Sequence, residues 1–521
     1  MNQHYKFSLN SKSLFMKKKS YSSAIIIFIS ILFYAGCSNS PEELLLKDAE
    51  KAMKKAADFF RTEVATHGGY LFQYSSDFTM RQGEISATAT QIWAQPSGTP
   101  AVGMTFLKAY EATGDTFYLN GAINAARALT WGQLASGGWH YRIDFDPVES
   151  KKWHYRRDVE IGDTITGTRD NRSSLDDENT QSPLQLIMRV DKILDFKDEE
   201  IHNSAMYCLN ALMEVQYPNG AWPQGFTGPP DPELFPVKKA HYPETWSREF
   251  PGEDYDSYYT FNDNAMGDVV TTMIEAYKIY GDERYLNSAK KCGDFIILAQ
   301  MPEPQPAWAQ QYNSDMVPAW ARKFEPPAIT GFESFSALRS LLELYINTGE
   351  ERFLEPVPIA LNYFKNSLLP DGRLARFYEL QTNRPLYFNA DVRSTDTSAQ
   401  TTPPLKPYTL NYEDKNLPSH YSFKVSADPM KKVDSLYNKI LEKGREAVLE
   451  EKEPLQQVNP EQIRSIIDNL DEKGRWLDTG RMRSNDPTKR NVETQIIACR
   501  TFNRNMSLLA NYIIAVNKEI K

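Results

Sequence analysis

Cysteine is almost missing from this chain: four residues in 521. That excludes a disulfide-built scaffold and a cysteine-ligated metal cluster. Cys208, Cys292 and Cys499 lie far apart, each within an apolar helical pattern, and are expected in the core. An excess of positive charge is missing too. With 59 Lys and Arg against 68 Asp and Glu the formal charge is −9, so the broad basic field that nucleic acid demands is lacking and nucleic acid is excluded as a partner. Only one apolar run stands out, from Ala24 to Tyr34, and it is too short to span a bilayer as a permanent helix. What is present is the material of a large core, 41% hydrophobic and 12% aromatic residues, enough for one big domain or a few ordinary ones.

The N-terminus reads as an address. Lys17, Lys18 and Lys19 precede the apolar run, and Ala35, Gly36 and Cys37 follow it, the charged, apolar, small-residue order of a secretory signal. The small pair before Cys37 resembles a bacterial lipobox. Residues 1–37 are therefore read as a signal peptide, Cys37 as the lipidated first mature residue, and residues 38–48 as a short tether. Export and a lipid anchor in the bacterial cell envelope, hence a membrane partner, follow from that reading.

Internal repetition sets the expected fold. A helix end recurs as Tyr110-Glu-Ala-Thr-Gly-Asp115, Tyr277-Lys-Ile-Tyr-Gly-Asp282 and Tyr345-Ile-Asn-Thr-Gly-Glu350, each followed by an aromatic-rich helix start. Gly is a stop signal and the acid after it a cap. Residues 193–198 fill the same place in a further copy that lacks the Gly. The second helix of each copy ends in a loop: Ser136-Gly137-Gly138-Trp139, Pro218 to Gln224, Pro306 to Gln310, and Pro370-Asp371-Gly372-Arg373. Between them, apolar residues recur at three- and four-residue spacing. Hairpins that bury one face against the next copy predict an all-α (α/α) toroid over residues 49–394, its aromatic loops gathered at one end where function is carried. Residues 228–256, with six prolines, form a long inserted loop of the kind that acts as a lid. Residues 395–521 are expected to supply further helices, from Pro429 to Lys443 and from Pro460 to the end, that flank or close the ring.

Four clusters carry chemistry. Leu175-Asp176-Asp177-Glu178-Asn179 puts three consecutive acids at a helix start. A capped helix start also collects acids, but this is one acid more than capping needs, and calcium seeks several such oxygens. Tyr259-Thr-Phe-Asn-Asp263-Asn-Ala-Met266 stands at the equivalent place in the next repeat, so the two acidic ends could face one cleft. Pro318-Ala-Trp320-Ala-Arg322-Lys323-Phe-Glu325-Pro326 is a proline-stiffened loop whose Arg and Trp suit an anionic sugar, though an Arg stacked on Trp can equally be a surface brace. Arg373, Arg376 and Arg384 form a basic segment able to bind carboxylates at neighbouring subsites or to make structural salt bridges.

Three of these segments, Ala221-Trp222-Pro223-Gln224, Tyr259 to Met266 and Pro318 to Pro326, resemble the signature segments of the pectate lyases of polysaccharide lyase family 10, the pectic acid lyase family. The likeness runs from about Ala49 to Tyr387. It implies an (α/α) toroid that cleaves pectate or a related uronan by calcium-assisted β-elimination. It implies Arg322 as the base, Asp177 and Asp263 on the calcium side of the cleft, and Trp222, Gln224, Trp320 and Lys323, with Arg376 and Arg384, as substrate contacts. Ala221 where the family has Gly, and the insertion at 228–256, are departures that point to a decorated or different uronan. Two other readings compete. A glycoside hydrolase on the same toroid would draw its acids from Asp176, Asp177, Asp263 and Glu325. A non-catalytic carbohydrate-binding lipoprotein would use Trp139, Trp222, Trp246, Trp308 and Trp320 as platforms.

Overall fold

The structure is a computed structural model that describes residues 40–252, 255–389, 409–418, 421–451, 459–483 and 491–520. The proposed signal peptide and Cys37 lie outside the described residues. The segment read as a tether does not behave as one: from Pro41 onward it is already helix α1, Pro41–Phe59. Ser40 and Glu43 cap it reciprocally, the Ser hydroxyl accepting from the Glu43 N–H and the Glu carboxylate from the Ser40 N–H, at 3.1 Å each. Proline at its first position fixes the entry.

Helical hairpins follow as expected: α2 (Thr99–Thr113) with α3 (Thr116–Trp131), α4 (Gln181–Ile193) with α5 (Glu199–Glu214), α6 (Ala265–Tyr280) with α7 (Glu283–Ala299), and α8 (Glu333–Thr348) with α9 (Pro356–Asn366). The stop signals work as read. Gly114, Gly281 and Gly349 adopt φ of 70°, 71° and 74° and donate to the carbonyls of Tyr110, Tyr277 and Tyr345. In the copy without glycine, Asp195 and Phe196 take the left-handed conformation themselves, at φ 54° and 60°. Helices α2, α4, α6 and α8 pack side by side as an inner row, and α3, α5, α7 and α9 lie outside them. The result is an (α/α) toroid.

The C-terminal region is another copy of the repeat. Helix α10 (Asp428–Lys443) and the short α11 (Arg445–Glu450) pack on α8, but Pro460–Asp468 (α12) is an outer helix packed on α1, and Cys499–Ile520 (α13) is an inner helix lying between α1 and α2. The stretch between α12 and α13, expected to be helix, is instead a hairpin, Leu477–Arg483 against Asn491–Ala498, whose second strand pairs with Gln73–Ser75. The chain is thus not purely helical. Its short strands sit in the loops that join each outer helix to the next inner one. Among the described residues no helix is long and apolar enough to cross a membrane.

The loop glycines show why the repeat reads as it does. A Cβ on Gly137 would lie 2.2 Å from Ala211, one on Gly220 2.0 Å from the Lys291 carbonyl oxygen, and one on Gly474 2.6 Å from that of Lys55. Each of these three loop glycines, at positive φ, therefore touches the outer helix of the following hairpin, with Gly474 in α12's loop touching α1. The aromatic that follows turns inward. The indole N–H groups of Trp139, Trp222 and Trp476 each donate 2.8 Å to the carbonyls of Leu129, Leu212 and Ile466, and that of Trp308 donates 2.7 Å to Ile296. Trp139, Trp222 and Trp308 are fully buried. These tryptophans tie each loop to its own outer helix, which overturns the expectation that Trp222 contacts substrate. Cys208, Cys292 and Cys499 are buried free thiols, as the sequence indicated.

Replacing Trp222 or Trp308 with Ala should lower folding stability by about 3–5 kcal/mol, the scale of an emptied aromatic site. Denaturant unfolding checks this. Unchanged stability together with lost oligosaccharide binding would restore the platform role.

Candidate functional site

Two matching turns build the site. Strand Ser173–Ser174 pairs with Gly225–Phe226, and Tyr259–Thr260 pairs with Gln311–Tyr312. Just beyond, the Leu175 N–H donates to the Gln224 carbonyl and the Phe261 N–H to the Gln310 carbonyl, both at 2.8 Å. Each strand then feeds a single helical turn whose middle residue is left-handed: Asp177 at φ 47°, ψ 37° and Asp263 at φ 46°, ψ 33°. Glu178 and Asn264 follow at φ 57° and 59°. Non-glycine residues held there cost of order 1–3 kcal/mol each, and such strain gathers at functional sites. Because α4 and α6 are neighbours in the inner row, the two turns meet.

The meeting concentrates negative charge. One carboxylate oxygen from each of Asp176, Asp177 and Asp263 lies within 4.8 Å of the others. Burial, then Asp177 and Asp263, pushes the Asp176 carboxyl up to about 7. Burial, then Asp263 and Glu84, pushes Asp177 up to about 6 against the opposing pull of Arg322. Gln224 hydrogen-bonds Asp176, yet Asp176 Oδ1 stays buried without a hydrogen bond. Gln95 donates from Nε2 to Glu84 at 3.2 Å and towards Asp177 at 3.4 Å. Crowded acids, an orphaned oxygen and oxygen-only donors fit a hard divalent cation such as calcium. Asp177 and Asp263 thus meet as expected, and Asp176, which the sequence placed only in the acidic run, joins them.

The opposite side is cationic. Arg322 grips Glu325 from Nε to Oε2 at 2.7 Å and from Nη2 to Oε1 at 2.5 Å, and its backbone N–H donates to Oε2 at 3.1 Å. Its side chain stays 41% exposed, whereas that of Glu325 is 1% exposed. Burial by itself would lower the Arg322 pKa, but the Glu325 hydrogen bonds and charge outweigh it and raise the guanidinium above its ordinary value. A hydrogen-bonded path runs from this pair to the acids. Gln310 Nε2 donates to Glu325 Oε1 at 2.8 Å and to Asn262 Oδ1 at 2.5 Å, and Asn262 Nδ2 donates to Asp263 Oδ2 at 2.5 Å. The sequence pointed to none of these links, although Gln310 stands in the repeat where Gln224 does.

Other expected contacts divide. Gln224 is half-buried at the acids. Arg376 is close by but committed: it pairs with fully buried Glu333 at the start of α8, its guanidinium 4.3 Å from the Tyr421 ring centroid. The third copy of the helix start therefore carries its own counter-charge, which the first two lack. Trp320 is a correction. It is 7% exposed, packs in a cluster with Phe377 and Phe388, and donates its indole N–H to the Ser247 carbonyl at 2.9 Å. Lys323 is exposed beside Arg322. Arg384 is exposed and stacks 3.5 Å from the Tyr412 ring centroid, a surface contact outside the acid cluster. The insertion at 228–256 is fastened to the body by Lys238 on Asp315 at 2.6 Å, Tyr242 on the Pro302 carbonyl at 3.0 Å, Arg248 on Glu379, and Asp256 on Arg172 at 3.0 Å. Its last part brings Tyr255 within electrostatic reach of Arg322, Glu325 and Asp176.

Residues 133–374, the stretch that holds both acidic turns and the Arg322 loop, match the family model described as pectic acid lyase. That stretch, a little under half of the chain, is similar to the pectic acid lyases, and the likeness points to a pectate lyase-type enzyme. No curated protein matches it. Among solved structures, a family 10 polysaccharide lyase from Cellvibrio cellulosa is similar at 17% identity and TM-score 0.40, covering 65% of this chain and 95% of its own. A mutant of a family 10 lyase from that organism, in complex with trigalacturonic acid, has 17% identity and TM-score 0.41 over 66% and 97% of the two chains. The cellobiose 2-epimerase of Spirochaeta thermophila has 12% identity and TM-score 0.44 over 92% and 100%.

The raised acids give a signed pH dependence. An Asp raised from 3.8 to about 7 in the fold contributes stability that is complete below about pH 4 and is lost as pH rises through the folded value. In chelator, Asp176→Asn should therefore gain in melting temperature relative to wild type as pH is raised from about 4 to about 7, and calcium should close the gap at the upper end. Parallel melting curves with and without calcium check this. A gap independent of pH would mean that the acids are not in electrostatic conflict.

Proposed function

We propose that this enzyme cleaves pectate or a related polyuronate by calcium-assisted β-elimination, and that Cys37 anchors it by lipid to the bacterial cell envelope after export. The observation that carries the first part is the triad Asp176, Asp177 and Asp263 facing the Arg322 loop. Calcium bound by the three aspartates would neutralise the uronate carboxylate and acidify the proton on the adjacent carbon. Arg322, with a partly exposed guanidinium, takes that proton; the electron pair left behind forms the carbon–carbon double bond as the neighbouring glycosidic C–O bond breaks, and the departing sugar oxygen is protonated from water. Taking the proton from carbon requires the neutral guanidine. The pair with Glu325 opposes that form, so proton removal by Arg322 becomes easier as pH rises. Lys323 supplies a further cation for the polymer's charges.

The hydrolase reading gains one point from Asp176, since a carboxyl raised to about 7 is what a general acid needs. Its weakness is how the acids are gathered. Asp176, Asp177 and Asp263 each bring one oxygen within 4.8 Å of the others, a convergence that suits a shared cation better than two carboxyls held apart across a scissile bond, and Glu325 is committed to Arg322. The carbohydrate-binding reading has less support, since Trp139, Trp222 and Trp308 are fully buried and Trp320 is 7% exposed, which leaves Trp246 as its half-buried platform.

Incubation with polygalacturonate should yield unsaturated uronides that absorb ultraviolet light, and chelator should abolish them; reducing ends without such absorbance would instead mean hydrolysis. Both Arg322→Ala and Arg322→Lys should lower turnover at least about a hundredfold, with a much smaller change in oligouronide affinity. Near-normal turnover in the Lys variant would remove Arg322 from the chemistry. Cys37→Ser should move the protein from the membrane to the soluble fraction with activity intact, and continued membrane association would refute the anchor.

A further inference from the structure

Glu325 has no exposure to substrate, yet every hydrogen-bonding direction of its carboxylate is used. Oε1 accepts from Arg322 Nη2 at 2.5 Å, from Gln310 Nε2 at 2.8 Å and from the Tyr421 hydroxyl at 2.9 Å. Oε2 accepts from Arg322 Nε and from its backbone N–H. The loop closes on itself as well, the Glu325 N–H donating 2.8 Å to the Arg322 carbonyl. A surface ion pair would leave both partners free to rotate in water. Here one partner is buried and held from three sides, so the Arg322 guanidinium has one allowed edge to offer the cleft.

We propose that Glu325 is the positioning residue of the lyase site: it fixes Arg322 in register with the acid triad through Gln310 and Asn262, and by its charge it sets the pH at which Arg322 can accept a proton. The inference rests on the lyase reading above. The charged and titratable groups around Arg322 are Glu325 within its loop, Tyr421 and Tyr255 from flanking segments, and Asp177 across the cleft. Arg376 faces Glu325 and Tyr421 from the far side. Of these, only Glu325 forms a bidentate contact with Arg322, so position and basicity are governed by one carboxylate with opposite consequences. Its charge makes the guanidinium a poorer base, and its geometry makes it a well-aimed one.

Two substitutions separate these effects. Glu325→Gln keeps the size but removes the charge, and Glu325→Asp keeps the charge but withdraws it by one methylene. In full-length enzyme with calcium, Glu325→Gln should lower maximal turnover at least about tenfold and move the rising limb of the pH–rate profile to lower pH. Glu325→Asp should lower turnover with the limb left in place. KM for an oligogalacturonate should change by less than about threefold in both. A purely structural Glu325 predicts lost turnover with an unmoved limb in both variants, and that result overturns the proposal. So does an unmoved turnover. The Arg322 Nε–H resonance, assigned by Arg322→Lys in nitrogen-15-labelled protein, supplies a readout apart from activity. It should be protected from exchange in wild type and in Glu325→Asp, and be lost in Glu325→Gln while circular dichroism stays unchanged. If wild type makes no unsaturated product, the lyase reading fails by itself, and a protected signal that persists in Glu325→Gln refutes the control of Arg322 by Glu325 independently.

Discussion

Repulsion among three carboxylates is the constraint on which this molecule turns. A folded chain does not bring Asp176, Asp177 and Asp263 within 4.8 Å without cost. Part of that cost is visible in acids pushed up to about 7 and about 6 and in two aspartates at φ near 46°. The scaffold sustains it because the triad is built from two copies of one device. A short strand pair, a backbone hydrogen bond to a glutamine carbonyl and a kinked turn open α4 and again open α6, and the packing of those helices decides how far apart the acids sit. A cation bound there would convert the conflict into a binding site.

The third copy shows what the device becomes without that task. Glu333, at the start of α8, is as buried as any acid among the described residues and is matched by Arg376. Breaking a buried pair of this kind leaves one uncompensated charge, so the arrangement is rigid. The basic wall beside the triad thus contains one arginine tied to structure, Arg376, and one whose guanidinium reaches the cleft, Arg322. Their side chains differ in exposure, 41% for Arg322 against 9% for Arg376.

Much of this was legible in the amino-acid sequence, and the misses have physical causes. The hairpins and their ends could be read because Gly114, Gly281 and Gly349 do locally what helix stops do anywhere. The equivalence of Asp177 and Asp263 could be read because repetition aligned them. Trp222 and Trp320 were misassigned because a loop aromatic has the same sequence signature whether it faces solvent or turns under its own helix, and only burial separates the two. The residues from Pro460 to the end are expected as further helix because Leu477–Arg483 and Asn491–Ala498 carry charges that mask their alternation; how the segment joins the ring depends on Gly474 meeting Lys55, a contact between distant parts of the chain. Glu325 was visible as an acid, but its partnership with Arg322 and its reach to Asp263 depend on the folded loop.

The central claim is that the triad holds a calcium ion that the substrate carboxylate shares. Calorimetric titration of calcium into Arg322→Ala enzyme, with and without trigalacturonate, tests it directly, since the variant removes turnover and leaves the acids in place. Thermodynamic reciprocity requires each ligand to tighten the other by the same factor if both meet at one ion. The account predicts tighter calcium binding with the oligosaccharide present and loss of that coupling in an added Asp263→Asn substitution. Calcium affinity that is indifferent to trigalacturonate would contradict it.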